Sequence, residues 1–150
     1  MRGLTVVGGA LLMAVLGFAG CGGANPPDES TITGLHITTS SEYPSNPAPP
    51  NVDVTLTDAT PAREIYRATL ALPAFPPGTY NCPAGFGYSH TISFIQGQTV
   101  AVTATLDTAG CGIATISGAP PDRRTNDAYW ALLAQDLGVD VATLCPVPGN

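Results

Sequence analysis

Two runs of alternating residues, Tyr88–Gln96 and Thr99–Asp107, meet at a Gln-Gly-Gln junction and are bracketed by Cys82 and Cys111. They constrain the fold more than any other stretch. In the first run Tyr88, His90, Ile92 and Phe94 share one face, opposite Ser89, Thr91 and Ser93. In the second, Val100, Val102, Ala104 and Leu106 oppose Thr99, Thr103 and Thr105. Period-two alternation puts one set against a core and the other toward water, and the glycine suits a tight turn, so the pair reads as a β-hairpin.

The remaining elements read as layers on that hairpin. Val52–Thr57 alternates cleanly, with Val52, Val54 and Leu56 on one face, and predicts a half-buried strand. Thr60-Pro61 reads as an N-cap followed by proline at the first helical position, opening a helix that runs to about Leu72. Its apolar side carries Ile65, Ala68, Thr69 and Leu72, with Tyr66 alongside, and Pro73 and Pro76-Pro77-Gly78 stop it. Cys111–Ser117 predicts a third strand of the meander, its inward face undecided because Ile113 and Ile116 differ in parity. Gly118–Arg124 reads as a loop. Thr125-Asn126-Asp127 offers caps for a helix over 127–137 that bears Tyr129, Trp130, Leu132, Leu133 and Leu137, with Gly138 placed to end it.

Each strand has one apolar and one Ser/Thr face, and two amphipathic helices suffice to cover one side. The expected fold is therefore α+β: a two-layer sandwich with an antiparallel sheet of about four strands and two helices on one face. Residues 51–150 form that domain. Residues 21–50 read as a tether, because Gly22–Ser30 has little to bury and Ser40–Asn51 carries four prolines that cannot join a ladder. Thr31–Thr39, with Ile32, Leu35 and Ile37, reads as a weak edge strand, so the fold begins near Thr31 or near Asn51.

Residues 1–20 stand apart. Met1-Arg2 is followed by an uncharged, apolar or glycine stretch from Leu4 to Phe18, then by Ala19-Gly20-Cys21. A positive start, an apolar core and small residues before a cut site describe a secretory signal. Small residues directly before a cysteine resemble the lipobox of bacterial lipoproteins, although Phe18 stands where an aliphatic residue is usual. The resemblance implies cleavage before Cys21, a diacylglycerol group on its sulfur and attachment to the cell membrane through acyl chains. The ordinary alternatives are a plain signal cut near Ala19 or a retained helix, for which Leu4–Gly20 is short and rich in glycine.

Cleavage would remove Arg2 and leave four arginines against eleven carboxylates, a formal charge of −7, with no lysine in the chain. Such a surface excludes nucleic acid as a partner, since phosphate neutralisation needs cations. It also argues against electrostatic docking on anionic lipid, so the anchor must come from the acyl chains. Beyond Cys21 three cysteines remain, Cys82, Cys111 and Cys145, which allow three pairings with one thiol left over. In an up-down-up meander the starts of the first and third strands lie at the same end, and the short turn after Cys82 can close the gap, so Cys82–Cys111 is the expected disulfide. Cys145 has neither a base nor a positive setting nearby in sequence and reads as structural or intermolecular, not nucleophilic.

Several short motifs occur in order: Leu72-Pro73, Pro76-Pro77-Gly78, Cys82-Pro83, Gly85-Phe86-Gly87, Ser93-Phe94, Gly110-Cys111 and Tyr129-Trp130. Together they resemble an uncharacterised family of secreted proteins and lipoproteins from GC-rich Gram-positive bacteria. The likeness spans about residues 52 to 138, implies export and carries over no activity.

Candidate chemistry is sparse. His90 lies on the apolar row of the hairpin, where a core histidine hydrogen-bonded to its surroundings is the ordinary reading. Asp136 falls inside the apolar arc of the last helix and at the negative end of its dipole, so a partner is expected among Arg123, Arg124 and His90. His90 and Asp136 thus form a candidate buried polar pair; an edge carboxylate that reaches water is the alternative. His36 and His90 show no metal-ligand spacing, so no metal or other cofactor is expected. The function expected is non-enzymatic binding or scaffolding in the cell envelope, with an unidentified envelope or extracellular partner. The alternative is an exported protease inhibitor acting through a disulfide-held, proline-rich loop at Cys82-Pro83 or Cys145-Pro146; a secreted enzyme is third.

Overall fold

In a computed structural model of the chain, the structure describes residues 25–41, 51–82, 88–108 and 111–145. A 3₁₀ turn, Glu29–Thr31, leads into strand β1 (Gly34–Ser41). There follow β2 (Asp53–Leu56), helix α1 (Ala59–Ala71), β3 (Tyr88–Gln96), β4 (Thr99–Asp107), β5 (Ile113–Ile116), β6 (Arg123–Arg124), α2 (Asp127–Leu137) and a short α3 (Val141–Leu144). The class is α+β. One antiparallel sheet of six strands runs in the order β2-β1-β3-β4-β5-β6, against about four expected.

The two additional strands are β1 and β6. β1 is an interior strand and not an edge, pairing with β2 from Leu35 to Thr38 and with β3 along its whole length. A Cβ on Gly34 would stand 2.6 Å from the carbonyl oxygen of Leu56, so glycine is what lets β2 approach this closely. β6 lies in the stretch expected to be a loop. Arg124 N–H donates to Pro73 O (2.8 Å) and Phe75 N–H to Asp122 O (2.7 Å), so the chain leaving α1 covers this sheet edge.

The hairpin register explains one misplaced side chain. Phe94 pairs with Val102, but Ile95 pairs with Val100, so Ala101 is an extra residue on β4. A bulge of this kind reverses the facing of what precedes it. Val100, expected inside with Val102, is 57% exposed, while Val102 is buried. On β5 the inward residues are Ala114 and Ile116.

The helices follow their capping chemistry. α1 is capped by Asp58, whose Oδ1 accepts the Thr60 N–H (2.9 Å), instead of by Thr60 as expected. Proline is tolerated throughout a first turn because its missing donor would find no partner there. α2 starts at Asn126, whose Oδ1 accepts the Tyr129 N–H (2.9 Å), and ends at Gly138 in the left-handed region, φ 67°.

Leu35, Ile37, Ile92, Phe94, Val102, Ala104, Leu106, Ala114 and Ile116 from the strands share one core with Ile65 and Tyr66 of α1 and Trp130 and Leu133 of α2. Tyr66 meets Phe94 edge-to-face at 5.0 Å. Between the helices Thr69 Oγ1 lies 2.8 Å from the Tyr129 hydroxyl and 2.7 Å from Ile65 O. Thr69 has one proton, donated to that carbonyl, so Tyr129 donates to Thr69. Burial raises the Tyr129 phenol well above its ordinary pKa and keeps it neutral. Cys82 and Cys111 are joined in a disulfide with Cα atoms 5.2 Å apart. It closes a separation of 29 residues, which the chain-entropy account values at ~3–4 kcal/mol.

Residues 27–32, expected to be tether or edge, are bound to α1. Tyr66 OH donates to Pro27 O (2.8 Å), and Arg63 donates through Nε to Ile32 O (2.9 Å) and through Nη2 to Ser30 O (2.8 Å). Arg67 pairs with Glu29 at 3.3 Å, and Ile32 is fully buried.

Candidate functional site

Both ring nitrogens of His90 are hydrogen-bonded within the fold. β3 places it on the inward row, fully buried, with the Tyr88 ring 5.9 Å and the Trp130 ring 6.2 Å away. Its Nε2 is 2.7 Å from Leu144 O and its Nδ1 2.9 Å from Thr39 Oγ1. A carbonyl only accepts, so Nε2 carries the proton and Nδ1 of the neutral ring accepts from Thr39. Burial lowers the His90 pKa, with the Leu144 contact acting weakly the other way. The ring ties β1, β3 and the end of α3 together and leaves no nitrogen free for a substrate.

The expected His90–Asp136 pair is not formed. Asp136 lies on the side of α2 turned toward α1, where burial and then the Glu64 carboxylate raise its pKa. Its neighbour is an acid and not the expected cation, and its Oδ2 is buried with no hydrogen-bond partner among the described residues. Asp136 is only half-buried and outside the core, nearer the edge-carboxylate alternative than the centre of an apolar arc.

Cys145 is a free cysteine beside the core, and burial followed by the Asp127 charge raises its thiol pKa, the opposite of an activated nucleophile. No group of three or more His, Cys, Asp or Glu residues is placed to hold a metal among the described residues. Cys21, Pro83–Gly87 and Pro146 lie outside the described residues.

The polar face of the sheet is the larger feature. The registers align Asp53 with Thr38, Thr38 with Thr91, Thr91 with Thr105 and Thr105 with Thr115. Directly paired residues point to the same face, so one row of four threonines, ended by an aspartate, crosses five adjacent strands. A second row runs through Thr55, His36, Ser93 and Thr103. The rows are spaced by two residues along each strand, roughly 7 Å, and the strands by about 4.8 Å. Every member of both rows is exposed or half-exposed. At one end His36 Nε2 meets Asp53 Oδ1 at 2.7 Å, with both side chains largely open to solvent. Alternation within each strand reveals the hydroxyl face, but the rows depend on the register of β1, which the sequence does not give.

Comparison with known proteins adds no relationship: no family model, no curated protein and no solved structure matches this chain.

Proposed function

We propose that this chain is a lipid-anchored, extracytoplasmic protein of the bacterial envelope that acts by binding or scaffolding and not by catalysis. In this reading α1 and α2 form a single layer on the apolar face of the sheet, and the hydroxyl face is the contact surface. The observation that carries it is the row Asp53–Thr38–Thr91–Thr105–Thr115. Hydroxyls both donate and accept, and here a regular strand spacing sets them side by side. Such a lattice suits a hydrogen-bonding polymer or a protein surface of the envelope. Catalysis wants a perturbed ionisable group facing a pocket, whereas His90 is used up within the fold and Cys145 is held protonated. The basic, apolar leader and Ala19-Gly20-Cys21 support the anchor. The test is recovery of envelope components on the purified mature protein, with and without arginine in place of Thr38 and Thr105.

The Cys82–Cys111 disulfide favours a second reading, an exported inhibitor whose loop begins at the bridge. Stable complex formation with a secreted protease, lost on reduction, is its test.

A further inference from the structure

Arg63, Tyr66 and Arg67 hold residues 27–32 along α1, so Asn25 and Pro26 are fixed to the fold at one wall of an open cleft of about 450 Å³. The other walls are Leu70, Gly118, Ala119, Pro120 and Arg123. No acid lines it. Arg123 donates through Nη1 to Leu72 O (3.1 Å), which orients the guanidinium, and its Nε is buried without a hydrogen-bond partner. Among the described residues it has no carboxylate at ion-pair distance, whereas Arg67 is paired with Glu29 and Arg63 is committed to two carbonyls.

Asn25 follows Cys21 by four residues, which span at most ~14 Å when fully extended. A cysteine carrying diacylglycerol sits at the headgroup level of its bilayer. An anchored chain therefore keeps this wall of the cleft within about 14 Å of the lipid phosphates. We propose that the Arg123 cleft is the membrane-facing site of the protein and takes the headgroup phosphate of a phospholipid in the bilayer that holds Cys21. A guanidinium matches phosphate in charge and in its forked donor geometry. The chain's negative charge opposes adsorption of the whole surface, but the acyl anchor already supplies residence at the membrane. The headgroup contact then forms at high effective concentration, so a single arginine in an acid-free cleft is enough.

The inference rests on the anchor reading, and the experiment separates the two. The full chain is expressed in its lipid-modified form with a benzophenone side chain in place of Ala119, or of Thr115 on the hydroxyl face as a control. After irradiation of membranes, adducts are identified by mass, and detergent partitioning is scored in parallel. The expected result is a phospholipid adduct at position 119, none at 115, and a several-fold loss of the adduct with Arg123→Gln. If Arg123→Gln also lowers the melting temperature, Arg123→Lys, which keeps the charge, is expected to retain adduct above the Gln level. A chain that partitions into detergent but gives no lipid adduct at 119, or only a protein adduct, overturns the site and leaves the anchor standing. A chain that does not partition overturns both.

Discussion

The phenolic hydroxyl of Tyr66 donates to the carbonyl of Pro27, 2.8 Å away and 39 residues earlier in the chain. That bond, with the two from Arg63, turns a segment with the composition of a linker into part of the fold. Removing a satisfied hydroxyl from a half-enclosed site costs ~1 kcal/mol, and removing a charged donor of two bonds costs about 2–3 kcal/mol. Tyr66→Phe is therefore expected to lower stability slightly and Arg63→Met more strongly, and both to raise amide exchange at Ile32 and Thr33. Exchange there as fast as in an open chain before any substitution would show that the segment is a tether after all.

His90 gives the fold an acid limit. Its folded pKa is lowered by burial, so the unfolded chain takes up a proton first as pH falls. The contribution is complete above the ordinary histidine value of about 6.5 and declines as pH falls through it toward the lowered folded value. Asp136 acts in the opposite sense: its raised pKa favours the folded state at low pH and is lost as pH rises through the folded value. His90→Gln is expected to flatten the melting temperature between pH 7 and 5, and Asp136→Asn to raise it at pH 7. A slope that survives His90→Gln unchanged would assign it to other groups.

The bulge at Ala101 separates two valines that pattern alone treats alike. Val100→Thr is expected to change stability by no more than about 0.5 kcal/mol, as at an ordinary surface site. Val102→Thr puts a hydroxyl into the core and is expected to cost about 1–3 kcal/mol. Equal costs from chemical denaturation would mean that the register continues unbroken.

What the sequence showed and what it hid divide by range. The β3–β4 hairpin, the Asn126 and Gly138 ends of α2 and the Cys82–Cys111 bridge were legible, because alternation, capping and a meander's geometry are local or nearly so. β1 was not, since Leu35 and Ile37 with threonines between them look the same at an edge as between two strands. Arg123–Arg124 looked like loop because the strand is only two residues long and follows two prolines, although it pairs with Ile113 and Ala114 about ten residues earlier and with Ala74 on its other side. Asp58 caps α1 even though Thr60-Pro61 carries the commoner cap signal, because proline is tolerated anywhere in the first turn. His90 was correctly placed inside, but its partners Thr39 and Leu144 lie 51 and 54 residues away and only the fold reveals them.

The central claim is that the hydroxyl face does the binding, and one measurement tests it most directly. Purified mature protein and a Thr38→Arg/Thr105→Arg variant are incubated with isolated cell envelope, and bound protein is titrated with melting temperatures checked in parallel. Two arginines would cover the threonine row without entering the core. The account predicts saturable binding by the parent and at least about tenfold weaker binding by the variant, equivalent to ~1.4 kcal/mol, with folding preserved. Equal binding by the two proteins, or no binding by the parent, would contradict it.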